Sequence, residues 1–243
     1  MSSFLIALQF LTCLPIRLRD MPSADAIGRS LSFYPLVGLL LGVGLWLLAL
    51  VLEQTAPALS AALVLSVWVA FTGALHLDGL ADSADAWLGG FGDRQRTLDI
   101  MKDPRSGPAA VVVLILLLLL KFVALWVLLG EGERVALLLA PLLGRAALPA
   151  LFLYTPYVRP GGLGQALSTH LPRRESRSVL LAVAIGCVLL GTAGWLALAV
   201  ALLVGMLARR AMCRRLGGTT GDTAGAMLEL VECAVLLGLA LRV

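Results

Sequence analysis

The sequence predicts an all-α protein, a polytopic integral membrane helical bundle with about seven membrane segments. Of its 243 residues, 60% are hydrophobic and 14% are charged, whereas soluble domains are about half apolar and about one quarter charged. The apolar runs at residues 36–52 and 109–120 would leave no polar face for water. We therefore expect a single membrane-embedded domain over residues 1–243.

The N-terminal segment, residues 1–30, is expected to lie along the membrane interface or to pack against the bundle. It has no basic region before its apolar stretch and no cleavage-like site, so no secretory signal is predicted. The apolar stretch at residues 5–14 is too short to cross a bilayer, because a crossing helix needs roughly 20 apolar residues.

Membrane segments are predicted where long apolar runs lie between charged loops. The runs cover residues 31–52, 58–75, 109–129, 135–154, 179–207 and 224–241. Basic loops alternate with acidic turns, so we expect the basic loops in the cytoplasm. Both flanks of residues 179–207 are basic, which requires an even number of crossings, and residues 191–194 (Gly-Thr-Ala-Gly) are the expected turn of a helical hairpin. The N-terminus is then inside and the C-terminus outside.

Charge and cysteine usage exclude several functions. The net charge of +4 does not indicate nucleic-acid binding, because the Lys and Arg residues are concentrated in the loops, as topology signals are. The four cysteines are far apart and form no CxxC pair, which argues against a disulfide framework or a zinc site. The bilayer is the expected partner, and nucleic acid is not.

Three aspartates at spacings of four and three, Asp78, Asp82 and Asp85, form the strongest candidate site. These spacings place three carboxylates on one face of a helix. Such a face needs a cation, and Mg²⁺ with phosphate oxygens is the usual one. A solvated acidic face is the alternative for a soluble protein. His76 lies two residues before the cluster and is a candidate general base or hydrogen-bond partner.

A second acidic group consists of Asp222, Glu229 and Glu232, whose spacings of seven and three again define one helical face. The two glutamates lie inside an apolar segment, where a carboxylate costs about 2.5 kcal/mol or more. We expect them to face a cavity and a partner. The alternative is that the segment starts near the surface and that these groups reach interfacial water.

Four basic residues are candidates for binding an anionic substrate. Lys121 and Arg145 lie inside apolar runs, where each either pairs with a buried carboxylate or extends to the headgroups. A partner is favoured for Arg145, and both alternatives stay open for Lys121. Lys102 and Arg105 precede a helix expected to begin near Pro108, and a helix N-terminus beside cations is a good phosphate site. Residues 76–107 thus form a predicted cytoplasmic catalytic loop.

Acidic faces that hold metal, together with cations at the cytoplasmic surface of a bundle, indicate phosphoryl or phosphodiester transfer. A positioned carboxylate would take the proton from the attacking hydroxyl. One reactant or product would be held at the membrane.

The same residues make a specific resemblance. The chain resembles the cobalamin synthase family of integral membrane enzymes over nearly its whole length. The matching blocks are residues 10–15 (FLTCLP), 33–38 (FYPLVG), 76–85 (HLDGLADSAD), 100–107 (IMKDPRSG), Lys121, 157–164 (YVRPGGLG) and 217–232 (GGTTGDTAGAMLELVE). Pro104 and Pro108 depart from the family's pattern beside Lys102 and Arg105.

The resemblance implies the last assembly step of the cobalamin lower ligand. The cobinamide phosphate of adenosylcobinamide-GDP would pass to the 5′-hydroxyl of α-ribazole, or of α-ribazole 5′-phosphate, with release of GMP. Asp78, Asp82 and Asp85 would hold Mg²⁺ on the diphosphate, and Asp222 with Glu229 would contribute either further metal binding or the general base. Lys102 and Arg105 would stabilise the departing phosphate, and Arg159 is a further matching position. The location would be the bacterial inner membrane, with the active site facing the cytoplasm, and a homo-oligomer is left open.

Two other functions are weighed against this one. A CDP-alcohol-type phosphotransferase shares the acidic chemistry and an Asp-Gly start at Asp78, but its arginine and its longer aspartate spacing are absent. A secondary transporter would use Glu229, Glu232, Lys121 and Arg145 along an ion path. Transporter sites lie near the membrane midplane on broken helices, whereas the acidic cluster is expected at the cytoplasmic edge.

Overall fold

The computed structural model describes residues 3–18, 20–161 and 163–243, and its regular elements there are all helices. The helices are α1 (Ser3–Leu11), α2 (Ala24–Ser30), α3 (Tyr34–Val51), α4 (Pro57–Thr72), α5 (Leu75–Gly89), α6 (Arg94–Ile100), α7 (Pro108–Gly130), α8 (Ala136–Tyr154), α9 (Leu163–Thr169), α10 (Arg173–Leu189), α11 (Gly191–Leu216) and α12 (Gly221–Ala240). A 3₁₀ turn joins α2 to α3. The prediction of an all-α fold is confirmed.

Five helical segments in the described residues are long and apolar enough to cross a membrane: Ala24–Val51, α7, α8, α11 and α12. Helices α4 and α5 together would make a sixth, although α5 is bent from α4 by 87°. Helix α10 has only 17 residues and begins with two arginines, so its apolar part is short for a crossing. The chain is a multi-pass membrane protein, and the predicted number of about seven segments is approximate.

The hairpin predicted within residues 179–207 is present, but the predicted position of its turn is wrong. The turn lies at Leu190, and residues 191–194 form the first turn of α11. Helix α10 ends at Leu189, and Gly191 begins α11 with a left-handed φ of 69°, which glycine adopts without strain. Gly194 then lies directly against the carbonyl group of Cys187, where a Cβ atom would collide. Small residues at such a contact let two membrane helices approach closely.

Helices α8 and α12 form the centre of the bundle. In an 18-residue apolar stretch of each helix, 78% of α8 and 72% of α12 are buried inside the protein, compared with 17% of α11. Helix α3 packs against α8 through Gly38 and Gly42, where Cβ atoms would meet the carbonyl groups of Pro141 and Leu137. Because α12 is central, the acidic residues that it carries are held inside the protein.

The break between α4 and α5 sets the direction of the acidic segment. Helix α4 ends at Thr72, and Gly73 and Ala74 both adopt left-handed φ values of 61° and 55°. Alanine is strained in this region, so the surrounding packing must hold the bend. Residues 76–107 are therefore mostly helical, as α5 and α6. Helix α5 leaves the direction of α4 and packs against α7 and α12.

The N-terminal helix α1 packs against α2 and α3. Ala7 and Leu11 are fully buried in this contact. Of the two placements expected for residues 1–30, α1 shows packing against the bundle, and its Phe10 ring becomes part of the site described below. An interfacial position of this segment stays a prediction.

Candidate active site

The three aspartates of the first cluster lie on one helix, as predicted. Helix α5 contains Asp78, Asp82 and Asp85, and its opposite side is buried through residues such as Leu77 and Leu80. Asp78 is exposed, and the other two are partly buried. The apolar residues between the acids fix which side of α5 faces the bundle, and the carboxylates therefore share the other side.

Two glycines bring the second acidic group to the first. A Cβ atom on Gly79 of α5 would lie 2.8 Å from the backbone oxygen of Asp222. A Cβ atom on Gly225 of α12 would lie 3.3 Å from the Cα atom of His76. The absence of side chains at both positions lets α5 and the first turn of α12 pack backbone against backbone. Asp222 is thereby held beside the acidic side of α5.

Arg159 reaches the same place from a different part of the chain. The segment before it pairs with the segment before α12: the Val158 N–H donates to the carbonyl oxygen of Thr219 at 2.9 Å, and the Thr219 N–H donates to that of Pro156 at 2.9 Å. The Arg159 Nη1 atom donates to the Asp222 Oδ2 atom at 2.7 Å. This pair is only partly exposed, with 32% and 19% of the two side chains accessible.

The start of α12 is fixed by its own hydroxyl groups. The Thr220 hydroxyl accepts from the backbone N–H of Thr223 at 3.2 Å, and the Thr223 hydroxyl accepts from the backbone N–H of Thr220 at 2.9 Å. This reciprocal pair is a capping box. It determines where the helix begins, and it places Asp222 in the first turn.

These groups surround a cavity of about 410 Å³. Its polar wall consists of His76, Asp78, Arg159 and Asp222, and its aromatic wall consists of Phe10, Tyr34, Phe152 and Tyr157. Cavities of this size bind small organic ligands, usually with apolar walls and a few placed polar groups. The structure therefore brings together four predicted site residues from three distant parts of the chain.

Acidic groups dominate the charge around this cavity. Asp78, Asp85 and Asp222 all interact electrostatically with Asp82, and Arg159 supplies a compensating positive charge. Within the described residues, no three His, Cys, Asp or Glu side chains converge closely enough to form a complete metal cage. Mg²⁺ is commonly held by one or two carboxylates together with substrate phosphates and water, so these donors suit an ion that arrives with its substrate.

Asp85 makes contacts of its own. Its carboxylate accepts the backbone N–H of Gly107 at 2.5 Å and that of Ala110 at 3.0 Å. Both donors belong to the N-terminus of α7, where a negative charge is favourable. Asp85 thus ties α5 to the beginning of α7, and its oxygens are already used as acceptors.

The predicted phosphate-binding cations Lys102 and Arg105 lie outside the cavity wall. Lys102 lies 3.7 Å from Asp99, and Arg105 forms two side-chain hydrogen bonds with Asp103 on the exposed loop before α7. These hydrogen bonds lower the pKa of Asp103 from 3.8 to about 2. The loop is close to α5 through the Asp85 contacts, but the structure does not place either cation at the cavity.

The remaining charged candidates form a separate, buried network. The Lys121 Nζ atom donates to Glu229 at 2.5 Å and to Glu232 at 2.7 Å, and Arg145 donates to the other oxygen of Glu232. None of the four is more than 5% exposed. Arg145, Glu229 and Glu232 have the buried partners that were predicted, but the two glutamates do not face the cavity described above. Lys121 pairs instead of reaching the headgroups. The network joins α7, α8 and α12 and does not line the cavity.

The aromatic wall was not predicted as part of the site. In the sequence, Phe10, Tyr34 and Phe152 lie within apolar runs and resemble core residues. Tyr157 stands beside Arg159 in a polar segment, which is the signal that could have identified it. Burial raises the pKa of the Tyr157 hydroxyl, Asp222 raises it further, and Arg159 opposes both.

Comparison with known proteins supplies the family. A family model described as cobalamin-5-phosphate synthase matches residues 3–240. A protein of Stutzerimonas stutzeri named adenosylcobinamide-GDP ribazoletransferase is 70% identical over 243 residues, covering 100% of this chain and 99% of that protein. Proteins with the same name from Pseudomonas putida and Pseudomonas entomophila are 66% and 63% identical, over 99% and 100% of this chain and the same shares of those proteins. No solved structure matches. The chain therefore belongs to the cobalamin-5-phosphate synthase family.

Proposed function

We propose that this protein transfers the cobinamide-phosphate moiety of adenosylcobinamide-GDP to α-ribazole or its 5′-phosphate, with release of GMP. The name shared by its relatives states this pair of reactants. The observation in the structure that carries the proposal is the convergence of Asp78, Asp222 and Arg159 on one cavity. Carboxylates and a guanidinium at one cavity suit the transfer of a phosphoryl group from a diphosphate.

The reacting oxygen of the acceptor follows from the name of the family. A product that carries a 5-phosphate keeps phosphate on the 5′ oxygen of its ribose. That oxygen cannot also be the nucleophile, so the 5′-hydroxyl expected from the sequence is replaced here by a free hydroxyl on the ribose ring. The new bond joins this oxygen to the phosphorus nearer to cobinamide, and the bond from that phosphorus to the GMP oxygen breaks.

Mg²⁺ is the metal that we propose for this site. Asp78, Asp82 and Asp222 are its candidate holders: Asp78 and Asp222 line the cavity, and Asp82 interacts electrostatically with both. Their hard carboxylate oxygens do not by themselves complete a cage. When bound, the ion would neutralise charge on the diphosphate. Asp85 was predicted as a fourth ligand, and its contacts with α7 favour a role in positioning α5 instead.

The side chains that line the cavity have two further roles, proton acceptance and stabilisation of negative charge. A carboxylate of the acidic group accepts the proton of the attacking hydroxyl. Arg159 faces the same space and stabilises negative charge that develops on the phosphate oxygens. Lys102 and Arg105 lie on the loop that Asp85 holds beside α5, and we propose that they bind the departing GMP after leaving their aspartate partners.

We further propose that the protein lies in the bacterial inner membrane with this cavity facing the cytoplasm. The support is the charge of the chain. The segments between apolar helices that carry Arg94 and Arg96, and Arg173 and Arg174, are basic, and basic connecting segments stay in the cytoplasm. The transporter alternative is disfavoured, because its four intramembrane charges pair with one another and do not line the cavity.

The test is a reaction with purified protein in lipid vesicles. Adenosylcobinamide-GDP, α-ribazole 5′-phosphate and Mg²⁺ are supplied, and GMP and the cobamide product are measured together. We expect equal amounts of both products and none in EDTA. Asp78→Asn should lower kcat by at least about 100-fold, whereas Glu131→Gln, at an exposed carboxylate between α7 and α8 outside the cavity, should not. Folded wild-type protein that forms no product would refute the proposal.

A further inference from the structure

The cavity beside the acidic cluster has an aromatic side whose arrangement is unusual for a packed core. Two rings, Phe10 and Tyr157, line the cavity and are only partly buried. A buried ring stands behind each of them. Tyr34 stacks on Phe10 with centroids 6.1 Å apart and planes at 25°, and Phe152 stacks on Tyr157 with centroids 6.1 Å apart and planes at 29°.

These two stacked pairs come from opposite parts of the chain. Phe10 belongs to α1 and Tyr34 begins α3, whereas Phe152 lies near the end of α8 and Tyr157 follows it. Each partly buried ring is held in place by its buried neighbour. It therefore presents a flat face and loses little conformational entropy when a ligand binds. Gly164 packs directly against the Tyr157 ring, where a Cβ atom would collide, and this fixes the ring from another side.

We infer that this aromatic side of the cavity binds the heteroaromatic base of ribazole, so that Phe10 and Tyr157 determine how the nucleoside acceptor is held. This inference rests on the proposed function. Planar bases stack on aromatic side chains. A cavity of about 410 Å³ is large enough for a nucleoside, and it places the ribose of that nucleoside toward Asp78 and Asp222.

The chemistry of the wall selects ribazole over the guanine of the other substrate. Apart from the acidic end, the rings are accompanied by Leu75, Leu148 and Leu167. The benzimidazole of ribazole carries no exocyclic amino or carbonyl group and loses no hydrogen bond in such surroundings. Guanine carries both, and burying them without partners is unfavourable.

The larger substrate has a different space available. A second cavity of about 810 Å³ adjoins the first and shares Phe10, Tyr34, Leu75 and Leu167 with it. Adenosylcobinamide-GDP is much larger than ribazole, and the second cavity is about twice as large as the first. The smaller cavity, with its flat walls, is therefore assigned to the nucleoside.

The experiment measures binding and turnover with wild-type protein and four variants in lipid nanodiscs. Equilibrium dialysis gives the Kd of α-ribazole without corrinoid, and initial rates give the KM of each substrate. Phe10→Leu and Tyr157→Leu should each raise the Kd and KM for α-ribazole about 10-fold. Tyr157 lines only the smaller cavity, so Tyr157→Leu should change the KM of adenosylcobinamide-GDP less than about two-fold, whereas Phe10 borders both cavities.

Two further variants separate stacking from loss of structure. Tyr157→Phe keeps the ring and should bind α-ribazole within about three-fold of wild type. Phe122→Leu makes the same change as Phe10→Leu in an aromatic pair with Trp126, outside the cavity, and should change neither substrate's KM. Thermal unfolding midpoints verify that each variant is folded. If Phe10→Leu does not fold, the inference is tested by comparing the Kd values of Tyr157→Leu and Tyr157→Phe for α-ribazole.

The outcomes distinguish this inference from the proposed function. If folded wild-type protein forms no product from the two substrates, the proposed function fails. If the wild type is active but both leucine variants bind α-ribazole normally, the function stands and the inference is wrong. A rise in the KM of adenosylcobinamide-GDP alone would also overturn it, because the cavity would then hold the other reactant.

Discussion

Removing one cation from the buried ionic network of Lys121, Arg145, Glu229 and Glu232 should strongly lower the stability of the protein. Removing the paired anion as well should restore much of that stability. Lys121→Met leaves Glu229 without its cation, and Glu229 is only 5% exposed. Breaking a buried ion pair in this way costs about 3–5 kcal/mol, because the remaining charge is neither solvated nor paired. Glu232 keeps its contact with Arg145, so the cost falls mainly on Glu229.

The double variant Lys121→Met, Glu229→Gln removes both charges of the pair. We expect it to be more stable than Lys121→Met alone by about 2 kcal/mol or more, since replacement of a whole buried pair is often nearly neutral. The single variant Glu229→Gln completes a double-mutant cycle. The difference between the stability change of the double variant and the sum of the two single changes is the interaction energy of the pair. Unfolding of the detergent-solubilised proteins, followed by circular dichroism, measures all four corners of the cycle.

An exposed ion pair in the same chain provides the control. Arg134 and Glu53 lie 2.8 Å apart with 24% and 55% of their side chains accessible. Arg134→Gln should cost no more than about 1 kcal/mol. The reasoning is refuted if Lys121→Met unfolds like the wild type, or if the double variant is no more stable than the single one. Normal stability with lost turnover would instead support the substrate-binding role predicted from the sequence.

Three further outcomes follow from the backbone and the surface. Gly79→Ala should abolish most activity, because its Cβ atom would lie 2.8 Å from a backbone oxygen of α12, whereas Gly44→Ala meets open space and should be neutral; product formation measures both. Ala74→Gly should raise the free energy of unfolding by about 1 kcal/mol, because it relieves a left-handed φ of 55°. Arg105 depresses the pKa of Asp103 to about 2. The contribution of this pair to the free energy of unfolding is therefore complete above about pH 4 and is lost as the pH falls toward 2. The unfolding midpoints of wild type and Asp103→Asn should therefore run parallel with pH above about pH 5 and converge only in acid.

The amino-acid sequence by itself determined the class of this protein and the location of its acidic chemistry. Long apolar runs must form helices in a membrane, because only helices satisfy their own backbone hydrogen bonds there. The spacing of Asp78, Asp82 and Asp85 places their carboxylates on one side of any helix that contains them. The position of Arg145 inside an apolar run required a partner for the same energetic reason that makes buried charges rare.

The tertiary structure alone decided which of these groups meet. Lys121 and Arg145 pair with Glu229 and Glu232, outside the lining of the cavity, and no local pattern distinguishes this from substrate binding. The approach of α5 to α12 depends on a contact between two backbones that are distant in sequence. The aromatic wall was hidden for a related reason, since a ring in an apolar run has the same local pattern whether it faces a core or a cavity. Such choices depend on long-range packing, whereas helical periodicity depends only on neighbours along the chain.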